Sequence, residues 1–427
     1  MSAVDQIIAS KLGRLPAPLR VRLPSGKVLG AAQAPAEIEF RETAALGTLA
    51  RGDLGALAAE IVHGRVEIRG GMRDLMRVVA ALVPDDGQAI RPRPWQRLWW
   101  SIGSILHHSR SKDAEQIRFH YDISDDFYAI WLDPLRVYSC AYFRDPDMDL
   151  AQAQLAKLDH ICRKLDLRPG ERFVDIGAGW GGLLFHAAEH YGVDAIGITL
   201  SRNQFDHVSR MIDRKGLSGR VRIQLCDYRD LRPDQPFDKL ASVGMFEHVG
   251  RANLPAYFRT LLDLLRPGGL ALNHGITLTG LDEAIVGGGL GDFIEKFIFP
   301  GGELVHVSHA IRLLSQAGME MVDTENLRPH YARTLWAWSD GLEAHLAEAE
   351  EVLRRGSDRE RAARTLRAFR LYLAGCALAF EENWTSLYQI LMTRPDAPDA
   401  PSGMAGAHAD YPFTRDHIYA PRDAGTD

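Results

Sequence analysis

Residues 1–90 alternate short apolar and polar runs in the period-two manner of strands. RVRLPSGKVLG (20–30) predicts a hairpin turning at Pro24-Ser25-Gly26, and IEFRE (38–42) and RVEIRGG (65–71) predict further short strands. MRDLMRVVAALV (72–83) carries apolar residues at helical spacing and predicts an amphipathic helix ending before Pro84. From Glu171 the pattern changes to a regular alternation. ERFVDIG, VDAIGITL, VRIQLCD, FDKLASVGMF and GLALNHGITL read as strands, while GGLLFHAAEHYG, RNQFDHVSRMIDRKG and LPAYFRTLLDLL read as helices. Such alternation predicts an α/β fold with a doubly wound, mostly parallel sheet, which takes its ligands at the carboxyl ends of the strands. Beyond Gly280 the pattern reads as helical to about Met392, and the tail 393–427, rich in Pro, Ala, Gly and Asp, reads as disordered or loosely docked.

Composition narrows the classes. The 427 residues are 46% hydrophobic and 25% charged, which excludes a disordered or fibrous chain. A formal net charge of -6 argues against a nucleic-acid partner. The longest apolar stretch, Leu371 to Phe380, is too short to span a bilayer, and the N-terminus has no secretory pattern. Cys140, Cys162, Cys226 and Cys376 stand far apart, as expected of reduced thiols in a cytoplasmic protein rather than of a zinc cluster.

One segment stands out by composition. Residues 87–112 hold five Arg or Lys, no acid, and Trp95, Trp99 and Trp100. Two readings fit it: an exposed linker whose aromatics dock on a neighbour, or an interfacial helix on an anionic membrane surface.

VDIGAGWGG (174–182) places Gly177, Gly179 and Gly182 at GxGxxG spacing between a strand and a helix, where missing Cβ atoms let the backbone approach a ligand. A dinucleotide site needs an acid ending the second strand, but that strand ends Gly197-Ile198-Thr199-Leu200-Ser201. Acids stand instead at Asp175 and at Asp227 after the third strand. That arrangement suits S-adenosylmethionine, whose amino-acid end and adenine want carboxylate and amide partners. His186-Ala187-Ala188-Glu189-His190 has a zinc-protease spacing, yet the helix must pack on the sheet, so no metal is expected.

FHYDISDDFYAIWLD (119–133), YSCAYF (138–143), VDIGAGWGG, GITLSRNQ (197–204), GMFEHVG (244–250) and FIFPGGEL (297–304) together resemble the cyclopropane-fatty-acyl-phospholipid synthases and their mycolic-acid relatives. The resemblance implies a class I S-adenosylmethionine methyltransferase (Rossmann-like) sheet with added helices over 115–392. It also implies a small N-terminal α+β domain (1–90) that associates with lipid, joined by the 91–114 linker. The implied reaction transfers a methylene group from S-adenosylmethionine to the cis double bond of an unsaturated phospholipid acyl chain, with a bound bicarbonate ion as base. A peripheral contact with the inner face of the membrane follows from such a substrate, and the resemblance leaves room for a homodimer.

Residue by residue, Cys140, Glu247, His274, the backbone of Ile276 and Tyr331 resemble the bicarbonate cradle, with Glu247 orienting a neighbour or sharing a proton. Tyr121, Tyr138, Ser139, Asp175, Ile176, Gly177, Ala178, Gly179, Trp180, Gly181, Thr199, Leu200, Ser201, Gln204, Asp227, Tyr228 and Arg229 resemble cofactor contacts. Cys376 corresponds to a cysteine counted as catalytic in the family, but it lies on the apolar stripe Leu366, Phe369, Leu373, Phe380, which suits packing. Val305-His306 replaces the family's usual Pro-Ser beside the acyl site, leaving chain and head group more open than the reaction. Two alternatives stand: a methyl or methylene branch as product, and a catalytically silent lipid-binding protein.

Overall fold

The computed structural model describes residues 3–13, 18–51, 53–82, 124–281, 290–299, 302–396, 411–412 and 414–419. The basic, Trp-rich segment 87–112 and both boundaries of the 91–114 linker lie outside the described residues.

The N-terminal hairpin forms as expected. Strands β1 (Leu19–Arg22) and β2 (Val28–Gly30) pair antiparallel, and Gly26 turns the chain with φ +83 while its N–H donates to the Leu23 carbonyl at 2.8 Å. β3 (Ala36–Phe40) runs parallel to β1, and β4 (Val66–Gly70) closes the order β2-β1-β3-β4. Helices α1 (Ala3–Leu12), α2 (Leu46–Arg51), α3 (Leu54–Val62) and α4 (Met72–Leu82) accompany this sheet. Met72, Leu75, Met76 and Val78 of α4 are buried and share one hydrophobic cluster with the C-terminal helices described below.

The larger sheet is laid down after α5 (Asp125–Trp131) and α6 (Leu150–Lys164). Strands β5 (Arg172–Ile176), β6 (Asp194–Thr199), β7 (Val221–Leu225), β8 (Phe237–Val243) and β9 (Leu265–Leu278) are mutually parallel where they pair. Helices α7 (Gly182–Tyr191), α8 (Arg202–Arg214) and α9 (Leu254–Leu264) provide the crossovers. The strand order reverses at β5, and there the cofactor loop lies, as expected for an open α/β sheet.

Past Gly280 the structure departs from the helical expectation. Helices α10 (Leu290–Phe297) and α11 (Val307–Ala317) precede strand β10 (Glu320–Asn326); α12 (Arg328–Ala344), α13 (Leu346–Gly356) and α14 (Arg359–Glu381) precede strand β11 (Thr385–Thr393). β11 inserts antiparallel between β9 and β10, completing the order β10-β11-β9-β8-β5-β6-β7. Both strands hide from periodicity for opposite reasons. β11 is buried along nearly its whole length and so does not alternate, whereas β10 is an edge strand that spends Asp323 and Glu325 on ion pairs. The described parts of the tail dock on the fold. Tyr411 is buried and donates to the Lys164 carbonyl at 3.0 Å, and α15 (Asp416–Tyr419) packs on α6 through Ile418.

Arg73 of α4 reaches Asp340 of α12 with two hydrogen bonds of 3.1 and 2.5 Å and lies over the Trp336 ring. The N-terminal sheet is thus tied to the helices that flank the site.

Candidate active site

The turn from β5 to α7 is built on backbone. The amides of Gly177 and Ala178 both donate to the Ile198 carbonyl, and Gly177, Gly179 and Gly181 take φ of +84, +56 and +86. The glycines have different tasks. A Cβ on Gly181 would meet Phe185 at 2.7 Å, so this residue makes the start of α7 fit, while a Cβ on Gly179 would meet no atom within 4 Å. Gly179 faces a cavity lined by Tyr138, Ser139, Asp175, Ile176, Gly177, Ala178, Trp180, Thr199, Leu200, Gln204, Asp227, Tyr228 and Arg229. Those predicted contacts therefore converge. Gly181 and Ser201 support the site without lining it: Ser201 caps α8, its Oγ accepting from the Gln204 amide at 3.3 Å. Tyr121 lies outside the described residues.

The polar groups of the cavity are tightly held. Thr199 Oγ1 donates to Gln204 Oε1 at 2.7 Å, and the Arg229 guanidinium and amide hold the Asp227 carboxylate at 2.6 to 2.9 Å. The Trp180 indole donates to Asp125 at 3.2 Å. Asp175 is 2% exposed, its Oδ1 has no hydrogen-bond partner among the described residues, and burial pushes its carboxyl up to about 7 against the pull of Lys157.

Lys157, Arg136, Met245 and His248 also line the cavity and were not foreseen from sequence. A signal existed for the first. Gln154, Lys157, His160 and Lys164 fall at helical spacing along α6 and are all buried, so this helix is covered on a polar stripe as well as an apolar one.

The residues expected to cradle an anion come from the turn after β8, from β9 and from α12. Burial pushes the Glu247 carboxyl up to about 7; its Oε1 accepts from the Ile276 amide at 2.6 Å, and its Oε2 has no hydrogen-bond partner among the described residues. The Ile276 N–H, expected to face the anion, is thus spent on holding Glu247. His274 lies two residues earlier on β9, on the same face. Its Nδ1 meets the Gln389 amide nitrogen at 3.2 Å and its buried Nε2 has no hydrogen-bond partner among the described residues. Burial, with Lys157 and Lys164 nearby, keeps the ring neutral, so with Gln389 donating to Nδ1 the proton sits on Nε2. Tyr331 is buried on α12 with Cys140, Glu247, Cys376 and Tyr372 as electrostatic neighbours, and burial raises its phenol well above the ordinary range.

Burial pushes both candidate thiols up, Cys376 to about 12 and Cys140 further still. Neither is a thiolate near neutral pH. Cys376 packs against the main hydrophobic cluster. Replacing it with Ala is expected to leave turnover within a few-fold of wild type and to lower stability by about 1 kcal/mol, as steady-state rates and thermal unfolding would reveal. His186 and His190 approach with ring centroids 4.5 Å apart; among the described residues no group of three metal-ligating side chains forms.

Aromatic rings continue from the cavity wall into the core. Tyr138 and Trp180 pack against Tyr128, with centroids 5.5 and 5.1 Å away, and the Tyr138 hydroxyl donates to that of Tyr372 at 2.9 Å. Trp131, Trp338 and Phe369 extend the cluster.

Comparison with known proteins agrees with this architecture. The chain is 42% identical over 407 residues to a probable fatty acid methyltransferase of Pseudomonas putida, covering 94% of this chain and 96% of that one. It superposes on the cyclopropane synthase MmaA2 of Mycobacterium tuberculosis with a TM-score of 0.60 at 33% identity, over 66% of this chain and 98% of that one. The mycolic acid cyclopropane synthase CmaA1, solved with SAH and CTAB, gives the same TM-score at 34% identity, over 66% of this chain and 98% of that chain. Coclaurine N-methyltransferase, at 20% identity and a TM-score of 0.64, shares the fold. The fold is that of the class I S-adenosylmethionine methyltransferases, and the profile of the mycolic acid cyclopropane synthetase family matches residues 108–390. The chain belongs to that family.

Proposed function

We propose that this protein transfers a one-carbon unit from S-adenosylmethionine to the cis double bond of an unsaturated acyl chain of a phospholipid and closes it to a cyclopropane. The observation that carries this reading is the continuity of the glycine-loop cavity with an aromatic core through Tyr138 and Trp180. An alkene is a weak nucleophile, so the reaction depends on positioning and dryness more than on a strong base. The π pair forms a bond to the methyl carbon while the sulfur–carbon bond breaks toward S-adenosylhomocysteine. Positive charge is left on the neighbouring carbon, and aromatic faces tolerate such charge without trapping it. Loss of a proton from the added methyl then closes the ring.

The buried polar set fits a small anion. His274 Nε2–H is an unpaired donor, and a protonated Glu247 offers a second at Oε2. The Tyr331 phenol, too weak an acid to ionise, is a third. Bicarbonate bound there would supply a weakly nucleophilic base for the departing proton. Cys140, whose Sγ donates to the Ala141 carbonyl at 3.2 Å, is an uncharged neighbour of Tyr331.

The likeness to a fatty acid methyltransferase favours a second reading, in which the cation ends as a methyl or methylene branch. The substrate resides in a bilayer, and no helix among the described residues is long and apolar enough to cross a membrane, so the reading includes docking at the lipid surface. Mass spectrometry after incubation with S-adenosylmethionine and vesicles of unsaturated phospholipid tests both. A gain of one methylene mass with loss of the double bond supports ring closure. A branched olefin, formed when the cation loses a proton from another carbon, supports the second reading, and unchanged acyl chains overturn both.

A further inference from the structure

We infer that Lys157, acting with Ser139, recognises the α-carboxylate of the sulfonium co-substrate's amino-acid end. The inference rests on the reading that S-adenosylmethionine occupies the glycine-loop cavity. It assigns a positively charged residue to a task that no motif of the chain marks.

Lys157 lies on α6, lines the cavity, and is 1% exposed. A buried ammonium needs partners, and this one has few. Its Nζ donates to Ser139 Oγ at 2.8 Å, and among the described residues it forms no ion pair within 4.0 Å. Its charge is therefore unspent in the absence of a ligand. The direction of the hydrogen bond matters as well. An ammonium only donates, so Ser139 Oγ accepts from it and must send its own proton elsewhere. Ser139 thus becomes a donor polarised by a cation, in the wall of the cavity. One helical turn earlier, Gln154 Nε2 donates to the carbonyls of Val137 and Ser139 at 3.0 and 2.9 Å, so α6 fixes both backbone and side chain of this segment.

Opposite charge stands nearby. Asp175 faces the same cavity with Oδ1 buried and unpartnered. Asp133, the other acid that feels Lys157, is already taken: its two oxygens accept from the amides of Leu135 and Val137 at 2.8 Å. An unpaired cation and an unpaired carboxylate on one wall match a zwitterion, with its carboxylate at Lys157–Ser139 and its ammonium at Asp175. Water alone does not explain the pair, since each group would then be desolvated at a cost without a charged partner.

The groups facing Lys157 are Asp133, Cys140, Asp175 and Cys162, and His274 lies close enough to feel its charge. Burial lowers the ammonium to about 8 against the opposing pull of these acids, so it loses its charge at mildly alkaline pH before a ligand binds.

Calorimetry with three probes tests this: S-adenosylhomocysteine, its decarboxylated analogue, and 5′-methylthioadenosine, which lacks the amino-acid end. Wild-type protein is expected to bind the first about 30-fold more tightly than the second, a gap that narrows above pH 8. Lys157→Met should abolish that gap while leaving 5′-methylthioadenosine within about two-fold of wild type. Equal loss of all three probes in the variant, or an unchanged gap, overturns the inference. The wild-type comparison stands even if the variant fails to fold: no preference for the carboxylated probe also overturns it. Failure of wild type to bind any of the three would instead sink the assignment of the cavity itself.

Discussion

Gly179→Val is expected to reduce affinity for S-adenosylmethionine at least 100-fold while the protein still folds. The position separates ligand approach from packing. The loop's shape is held by the Gly177 and Ala178 amides on the Ile198 carbonyl, which the substitution leaves alone. Among the described residues no atom beyond the chain neighbours lies within 4 Å of the Cβ position at Gly179, so none of them opposes a side chain there; the isopropyl group would fill the cavity itself. Backbone strain contributes too, because Gly179 has φ +56, and a branched residue there costs about 1–2 kcal/mol. Gly216 isolates that contribution. It has φ +67 and equally open surroundings, but it ends α8 far from the loop in sequence, and it does not line the cavity. Gly216→Val should lower the melting temperature by a similar few degrees and leave affinity unchanged. Equal affinity in Gly179→Val and wild type, measured by calorimetry, would remove the loop from the binding site.

The same loop marks how far sequence reaches. Strands β5 to β9 were legible because each parallel strand is a short apolar run punctuated by a helix, and the glycine spacing placed the ligand at the carboxyl end of the first. β10 and β11 were illegible for reasons that involve neighbours. Leu387, Ile390, Leu391 and Met392 look like the apolar stretch of α14 just before them, and only pairing with β9 makes them a strand. Asp323 and Glu325 read as solvent-facing until Lys164 and His160 meet them across the edge, at 3.6 Å and 2.7 Å. Lys157 was missed for a related reason. A lysine beside Leu158 and Asp159 resembles a helix surface, and its burial follows from covering by the segment around Ser139, 18 residues earlier and outside the helix. The cradle divides in the same way. Glu247, His274 and Tyr331 are named by a family resemblance, but that Glu247 takes the Ile276 amide is a fact of local geometry that spacing does not contain.

Turnover should fall about 100-fold in Tyr331→Phe, with affinity for S-adenosylmethionine within about three-fold of wild type. The substitution removes one hydroxyl and keeps the ring, whose centroid lies 4.7 Å from that of Phe380, so packing is preserved. His274→Ala should reduce turnover similarly but also lower stability, since it strips the Gln389 amide of its buried partner at a cost of about 1–3 kcal/mol. The two residues act on one anion in the proposed mechanism, which fixes how their effects combine. Groups that serve a single bound species lose their separate contributions once that species is gone. Wild-type enzyme in carbonate-free buffer should therefore slow toward the rate of the variants, and the variants should slow little further. Restoring bicarbonate should rescue wild type fully and Tyr331→Phe only at higher concentration, because the phenol donor that holds the ion is missing. A raised Glu247 carboxyl adds a pH signature. The protonated form, which donates from Oε2, is populated below about 7 and is lost above it, so the bicarbonate concentration needed for half-maximal rate should rise as pH increases through that value. Full activity without carbonate, or a bicarbonate requirement that ignores both Tyr331 and pH, would place the proton's acceptor elsewhere in the site.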